Sequence, residues 1–377
     1  MPKKREDVRQ EHGPSELEQS LIKEKTRLLS QVQGLRKRLG EESVLVESIS
    51  NRLIEFGTMP AINPAPRLVP KKTVYERPLV AVLNIADPHM EEVVDPAETE
   101  GLLEWNFERF LRCAWHTSKT AVEIVEIIRA KHQVDELHIF WLGDMVTGEI
   151  HPDVYFSNAF YLPDALTAGP WYWAQVVREL AAHFDKVTCT CVPGNHGRMD
   201  IKPTSKRRVG RNWDTAMYQL TALFTKDLDN VVWQIPRSPK AVVEINGWYF
   251  LIQHGDQVAM HGGTTPYYGM QRQRSAELAK RMGFRVRDIE QQLKKGLLFD
   301  YDVRGHLHQY ATTEERTLIC PSMMGSNEWA LSKTFSHAWP GQRLFFVDEE
   351  HGIAGDWRIN FIEIGEHRFE LLPNWEV

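Results

Sequence analysis

Short apolar runs, each ending on a polar loop, recur along most of the chain and predict β-strands. These runs are Leu79 to Ala86, Leu137 to Leu142, Lys186 to Val192, Ala241 to Gln253 and Tyr301 to Arg304. Asn246-Gly247 lies inside the fourth run and is typical of a two-residue hairpin turn, so that run predicts two antiparallel strands. Two later runs, Arg343 to Val347 and Trp357 to Ile364, predict another hairpin through His351-Gly352.

Stretches with helical spacing lie between the predicted strands, and Phe107 to His132 and Trp173 to His183 are the clearest of them. Strands that alternate with helices are typical of an α/β domain. The sequence therefore predicts one large α/β domain over residues 75–377.

The N-terminal segment, residues 1–56, has a different pattern. Apolar residues at heptad spacing form a seam: Leu21, Leu28, Val32, Leu35, Leu39, Val46, Ile49 and Leu53. This pattern predicts a coiled coil or helical hairpin that oligomerises or recruits a partner protein. The alternative is a single amphipathic helix packed on its own domain. Residues 57–74 contain Pro60, Pro64, Pro66 and Pro70, which predicts a linker.

Composition limits the possible classes of protein. The chain has 377 residues, 42% of them hydrophobic, and a formal net charge of -6 at pH 7. An acidic chain of ordinary composition has no overall attraction for nucleic acid, so any site for a polyanion must be a local patch. The charged N-terminus lacks the apolar core of a secretory signal, which predicts a cytoplasmic protein with no membrane segment. The four cysteines lack zinc or disulfide spacing, and we expect them to be reduced and buried.

Residues that bind divalent metal ions stand in five of the loops that follow the apolar runs. These loops are Asp87-Pro88-His89, Gly143-Asp144, Gly194-Asn195-His196, His254-Gly255-Asp256 and Gly305-His306-Leu307-His308. Because side chains alternate along a strand, we expect Asp87 and His89 to project from one side toward one ion. The carboxylate of Asp144 follows a buried strand and has two oxygens that can bridge two cations. Asn195 adds a neutral amide oxygen.

In order and spacing, the motifs D-x-H, GD, GNH, H and GH-x-H resemble those of the calcineurin-like metallophosphoesterases, over Leu79 to Gln309. The resemblance implies a four-layer α/β/β/α sandwich of two mixed sheets. It also implies two metal sites that share Asp144. The first site would be completed by Asp87, His89 and His308, and the second by Asn195, His254 and His306. His196 matches the catalytic histidine, which contacts the phosphate and assists the leaving group.

Two divalent cations would explain hydrolysis of a phosphodiester at neutral pH, because they neutralise the developing charge and lower the pKa of water. Ligation by mixed His, Asp and Asn side chains favours Mn²⁺ or Fe²⁺ over Mg²⁺, with Zn²⁺ as an alternative.

The second motif departs from that of the protein Ser/Thr phosphatases, which continue it as GD-x-V-D-R-G. Thr147 stands where their second aspartate orients the catalytic histidine, so we do not expect phosphoprotein specificity. The partner of His196 is left open, with Glu149 as one candidate. Arg198 follows the GNH motif and either contacts phosphate or is a solvated loop arginine.

A cationic run follows the GNH motif and includes Lys206, Arg207 and Arg208. Near the metals it would contact a phosphate backbone, and the alternative is a solvated loop. Aromatic residues crowd the preceding insertion, where a packed subcore is favoured over base stacking: Tyr155, Phe156, Phe160, Tyr161, Trp171, Tyr172 and Trp173.

These features resemble the DNA-repair exonuclease-like branch of the superfamily, which phages often encode. The sequence predicts a metal-dependent phosphodiesterase acting on nucleic acid, with DNA as the favoured substrate. Alternatives are a phosphomonoesterase or cyclic-nucleotide phosphodiesterase on small substrates, or a non-enzymatic interaction module.

Overall fold

The computed structural model describes residues 78–150, 152–258, 265–283, 298–333, 337–373 and 375, together with the single positions 23, 30 and 47. The chain divides into two units, Met1–Gly57 and Thr58–Val377, and every element named below belongs to the second. Apart from those three positions, the predicted helical segment (residues 1–56) and linker (57–74) lie outside the described residues. The coiled coil and its partner stay predictions.

The described residues form strands and helices that alternate along most of the chain. The strands are β1 (Leu79–Ile85), β2 (Glu136–Trp141), β3 (Lys186–Cys191), β4 (Val231–Gln234), β5 (Lys240–Ile245), β6 (Trp248–Gln253), β7 (Tyr301–Arg304), β8 (Ala311–Thr313), β9 (Thr317–Ile319), β10 (Gly341–Asp348) and β11 (Gly352–Asn360). The helices are α1 (Phe107–Arg129), α2 (Pro152–Ser157), α3 (Leu162–Ala181), α4 (Trp213–Phe224), α5 (Tyr267–Gly283) and α6 (Glu328–Lys333).

These strands form two mixed sheets. The first has the order β11-β10-β1-β2-β3-β4, and the second has the order β5-β6-β7-β9-β8. In the first sheet β1, β2, β3 and β4 are parallel, whereas β10 and β11 are antiparallel additions at one side. In the second sheet β6, β7 and β9 are parallel, and the outer strands β5 and β8 are antiparallel to their neighbours.

The main core lies between the two sheets, where alternate side chains of both sheets meet. Phe250 of the second sheet lies 6.3 Å from Phe140 and 5.6 Å from Phe345 of the first, measured between ring centroids. Burial of these rings away from water holds the sheets face to face.

Helices cover the outer faces of both sheets. On the first sheet, Trp173 of α3 packs edge-on against Trp141 of β2, with ring centroids 5.1 Å apart. On the second sheet, Gln273 of α5 accepts a hydrogen bond of 2.7 Å from the buried Arg304 of β7. The layers therefore follow the order helix, sheet, sheet, helix. The predicted four-layer α/β/β/α sandwich is confirmed.

The largest difference from the predicted elements concerns α3, which begins at Leu162 rather than near Trp173. Gly169 and Pro170 lie inside this helix and made the longer helix hard to predict from sequence. A Cβ at Gly169 would stand 2.7 Å from the Met217 side chain, so the glycine permits close helix packing. The tertiary contacts thus outweigh the poor helix propensity of both residues.

The aromatic insertion is divided between core and surface. Trp171, Tyr172 and Trp173 are buried, as the predicted subcore requires, whereas Phe156 is 83% exposed. The four cysteines are buried and form no disulfide, which confirms the prediction. None of the helices in the described part of the chain has the length and apolar character needed to cross a membrane.

Candidate metal centre

The five predicted loops converge at one edge of the sandwich. β1, β2 and β3 are parallel in one sheet and β6 and β7 in the other, so the loops after them emerge at the carboxyl ends of their strands. Hydrogen bonds join the loops of the two sheets: His254 Nδ1 donates to the Leu142 carbonyl at 2.7 Å, and the His306 N–H donates to the Asp87 carboxylate at 3.0 Å.

Two groups of candidate ligands form at this edge. One consists of Asp87, His89 and His308, and the other of Asp144, His254 and His306. Within each group the ligand atoms all lie within 4.8 Å of one another. Donor atoms that share one ion at about 2.0–2.2 Å must approach each other this closely, so each group has dimensions suited to a divalent cation.

Asp144 belongs to the second group and also approaches the first. Its Oδ2 atom is 2.9 Å from His254 Nε2 and 4.0 Å from His89 Nε2. The amide oxygen of Asn195 is 3.0 Å from the same His254 Nε2. These distances fit the predicted arrangement, in which Asp144 is shared and Asn195 belongs to the second site.

Backbone carbonyls orient two of the histidine rings. Nδ1 of His308 donates to the Gly325 carbonyl at 2.5 Å, just as Nδ1 of His254 donates to Leu142. Each bond fixes the proton on Nδ1 and turns Nε2 toward the carboxylates, which is the usual arrangement of a metal-binding histidine. The donor set and its outer partners therefore fit a pair of divalent ions.

The backbone at these loops is unusual. Asp87, His89, Asp144, His306 and His308 all have positive φ angles, between 44° and 65°. Non-glycine residues adopt this left-handed region at a cost of about 1–3 kcal/mol each, and such residues cluster at functional sites. Asp87 and His89 do lie in one ligand group, as expected, but strand alternation is not the cause. β1 ends at Ile85, and the two side chains are brought together by tight turns after the strand.

Asp214, at the start of α4, holds two of the loops together. Its buried carboxylate accepts hydrogen bonds from the backbone N–H groups of Asp144, Met145 and Gly194, at 3.0, 3.1 and 2.8 Å. Burial and the charge of Asp144 raise the pKa of Asp214 to about 6, while the N–H groups of Gly194 and Asp144 oppose the rise. Gly143 allows the loops to approach, because a Cβ there would lie 2.2 Å from the Gly194 nitrogen.

His196 lies beside the first ligand group, with its ring centroid 4.9 Å from that of His89. Its backbone N–H donates to Asp144 Oδ1 at 2.7 Å, and its Nδ1 lies 3.0 Å from the Thr147 carbonyl oxygen. The polar partner of Nδ1 is therefore a backbone carbonyl of residue 147. Glu149, the candidate for this role, accepts a hydrogen bond from the backbone of Leu162.

Charge is concentrated in this cluster. Burial alone would raise the pKa of the Asp144 carboxyl, but the neighbouring His254 and His196 hold it well below its usual value. Burial opposes the charged form of His254, yet the Asp144 carboxylate raises its pKa to about 10. By contrast, burial and the charge of His196 lower the pKa of His89 to about 3, so this imidazole is neutral. The buried carboxylates thus require positive charge, which a divalent ion can supply.

The predicted substrate-binding residues differ in their surroundings. Lys206 and Arg207 are exposed. Arg208 forms an ion pair with Asp256. Arg198 donates to the backbone carbonyls of residues 195, 200 and 201, so much of its guanidinium holds its own loop. Substrate contact by these residues stays a prediction.

Several residues around the site were not singled out from the sequence. Asp214 lies two residues after Asn212, whose side chain caps α4, and that local signal does not reveal the contact of Asp214 with Asp144. Glu92 lies in the loop after β1, where its carboxylate is 3.7 Å from His89 Nδ1. It also accepts a hydrogen bond of 2.6 Å from Asn327. The run Asp87 to Glu92 is rich in polar residues directly after a buried strand, and this was the available signal for Glu92.

No protein-family model and no curated protein sequence matches the chain. Solved structures share a loose likeness to it. Vps29 of Entamoeba histolytica, complexed with Zn²⁺, is 12% identical, with 74% of this chain and 98% of that chain covered and a TM-score of 0.28. A hypothetical protein of Pyrococcus horikoshii is 10% identical, with 75% and 88% covered and a TM-score of 0.35.

A predicted phosphoesterase of Streptococcus pneumoniae is 8% identical, with 74% and 98% covered and a TM-score of 0.24. At these TM-scores the solved structures assign no role to this chain. The two-sheet topology and the converging ligand groups are the two features in which the chain resembles the calcineurin-like metallophosphoesterases. The exonuclease-like branch stays a prediction.

Proposed function

We propose that this protein is a two-metal phosphodiesterase that hydrolyses phosphodiester bonds of nucleic acid, with DNA as the substrate. The observation that carries the proposal is the pair of ligand groups joined through Asp144, with His196 beside them. Folding alone gives no reason to bring these groups together, since buried carboxylates and imidazoles cost free energy unless they are neutralised.

Two bound divalent cations, which we propose to be Mn²⁺, would supply charge neutralisation at the phosphate and acidify water for attack. The chain's own residues would perform the remaining tasks. Asp87, His89 and His308 would hold one cation, Asn195, His254 and His306 would hold the other, and the carboxylate of Asp144 would be shared between the two sites. Water adds to phosphorus, the bond to the leaving oxygen breaks, and the products are a phosphomonoester and an alcohol.

His196 is the proposed catalytic residue. Its Nδ1 faces the Thr147 carbonyl, so the proton on that atom is held in place. Nε2 is then the atom that donates a proton to the leaving oxygen or contacts a phosphate oxygen. General acid catalysis of this kind contributes about 10²–10⁴ to the rate.

The basic loop supports a polyanionic substrate. Arg198 and Arg208 line a small cavity beside Asn195, one of the proposed ligands. Lys206 and Arg207 are exposed on the same loop. On a chain of net charge -6, such a local patch is where a phosphate backbone would bind.

The proposal is tested by measuring whether the purified protein cleaves labelled DNA and a small phosphodiester. We expect chelation to abolish cleavage of both substrates and Mn²⁺ to restore it. Full activity after removal of metal would contradict the two-metal mechanism. Metal-dependent cleavage of the small ester with no affinity for DNA would favour the small-substrate alternative.

A further inference from the structure

Trp329 lines a cavity of about 160 Å³ together with His89, His196 and His308, and we call this cavity the catalytic cleft. The side chain of Trp329 is 60% exposed, so it lies at the rim of the cleft. A large aromatic surface in water beside the reacting groups is available to a ligand that enters the same cleft.

The short helix that carries Trp329 is fixed to the loop after β1. Asn327 caps α6 through Oδ1, which accepts from the Ala330 N–H at 3.0 Å, and its Nδ2 donates to Glu92 at 2.6 Å. Glu328 accepts a hydrogen bond of 2.8 Å from the Asp95 N–H. Because Glu92 also lies 3.7 Å from His89 Nδ1, the position of the tryptophan is tied to that of a proposed ligand.

We propose that Trp329 is a stacking surface for the base of the nucleotide whose phosphate enters the cleft. This inference rests on the proposed function and names its substrate class: a nucleotide whose base is free of its neighbours, as in single-stranded or frayed DNA. A base inside an intact duplex is stacked on both faces and cannot lie on the indole.

The size of the cleft supports a binding mode in which the phosphate lies inside the cleft and the base lies at its rim. Pockets that enclose a whole drug-sized ligand measure about 300–1,000 Å³. A cavity of about 160 Å³ takes the phosphate and the adjoining sugar, and leaves the base at the rim, where Trp329 is exposed. Stacking on an aromatic side chain tolerates any base, because every base has a π-face.

Two small substrates test the stacking surface without DNA. The p-nitrophenyl ester of thymidine 5′-monophosphate carries a base, whereas methyl p-nitrophenyl phosphate has the same leaving group and no base. We expect Trp329→Ala to lower kcat/KM for the thymidine ester about 5- to 150-fold, chiefly by raising KM. The kcat/KM for the methyl ester should change less than about twofold, because that substrate has no base to stack. Trp329→Phe should restore most of the loss, because it keeps an aromatic face.

Trp357 provides the matched control. It is 40% exposed on β11, an outer strand of the first sheet, and it is not among the described residues that line the cleft. Trp357→Ala should leave both esters unchanged. Equal losses on the two esters in Trp329→Ala, or no preference of the parent protein for the thymidine ester, would overturn the stacking surface. A parent that prefers the thymidine ester but does not cleave DNA would instead contradict the proposed function and keep the stacking surface.

Discussion

The carboxylate of Asp214 accepts a hydrogen bond from the backbone N–H of Asp144, with 3.0 Å between Oδ2 and the nitrogen, although the two residues are 70 positions apart in the sequence. The same carboxylate accepts the N–H of Gly194, so one buried side chain fixes the loop of the shared ligand against the loop of Asn195 and His196. Asp214 thus acts through Asp144 rather than on a substrate, and it is a positioning residue.

Asp214→Asn should weaken metal binding. The amide has one acceptor oxygen instead of two and would turn an NH₂ group toward backbone N–H donors, which costs about 1–3 kcal/mol of unfolding free energy. We expect the Mn²⁺ concentration for half-maximal activity to rise about 10- to 100-fold, with much of kcat recovered at saturating Mn²⁺. Glu136→Gln, at a partly exposed carboxylate paired with Lys186, is the control and should change neither quantity. An unchanged metal requirement in Asp214→Asn would refute the positioning role.

Asp144→Asn should reduce turnover by several orders of magnitude while the fold persists. The substitution keeps the shape of the side chain and removes the negative charge that we place between the two cations. The rate on a small phosphodiester ester and the far-ultraviolet circular dichroism spectrum together check this. A mild loss of rate with a native spectrum would show that Asp144 does not bridge the ions.

His196→Ala should separate catalysis from metal binding. Because His196 is assigned to proton donation, the variant should keep the metal content of the parent and lose about 10²–10⁴ in rate. His89→Ala and His254→Ala, at ligands of different groups, should each lose one ion. Elemental analysis of the three purified variants decides the assignment, and loss of metal from His196→Ala would move His196 into the coordination shell.

The double variant Lys206→Ala, Arg207→Ala should weaken DNA binding and flatten its dependence on salt. For each phosphate that the variant no longer neutralises, the slope of log affinity against log salt concentration should fall by about 0.7–0.9. Cleavage of a small ester should barely change, because neither side chain is a proposed ligand. The control removes two exposed lysines, Lys131 and Lys226, that follow the C-terminal ends of α1 and α4. Equal losses on DNA and on the ester would make the loop structural.

Much of the fold could be predicted because its elements have local signals. A buried strand such as β2 is a continuous apolar run, and the Asn246-Gly247 turn between β5 and β6 has the left-handed φ angles, 49° and 79°, that its sequence indicates. Helix α3 was predicted too short because Gly169 and Pro170 are unfavourable locally and are tolerated only through packing.

The sequence by itself determined the order of the apolar runs and the residue types in the loops after them, since strand periodicity is a property of neighbouring residues and metal preference is a property of residue types. Only the tertiary structure decided which residues from distant segments meet. Asp214 lies 70 positions from Asp144, Asn327 lies 235 positions from Glu92, and Arg208 pairs with Asp256, 48 positions away. The partner of His196 Nδ1 is the carbonyl of Thr147, a group that every residue carries and that no motif can indicate. Such contacts depend on how two sheets pack, and that packing is set by the burial of side chains along the whole domain.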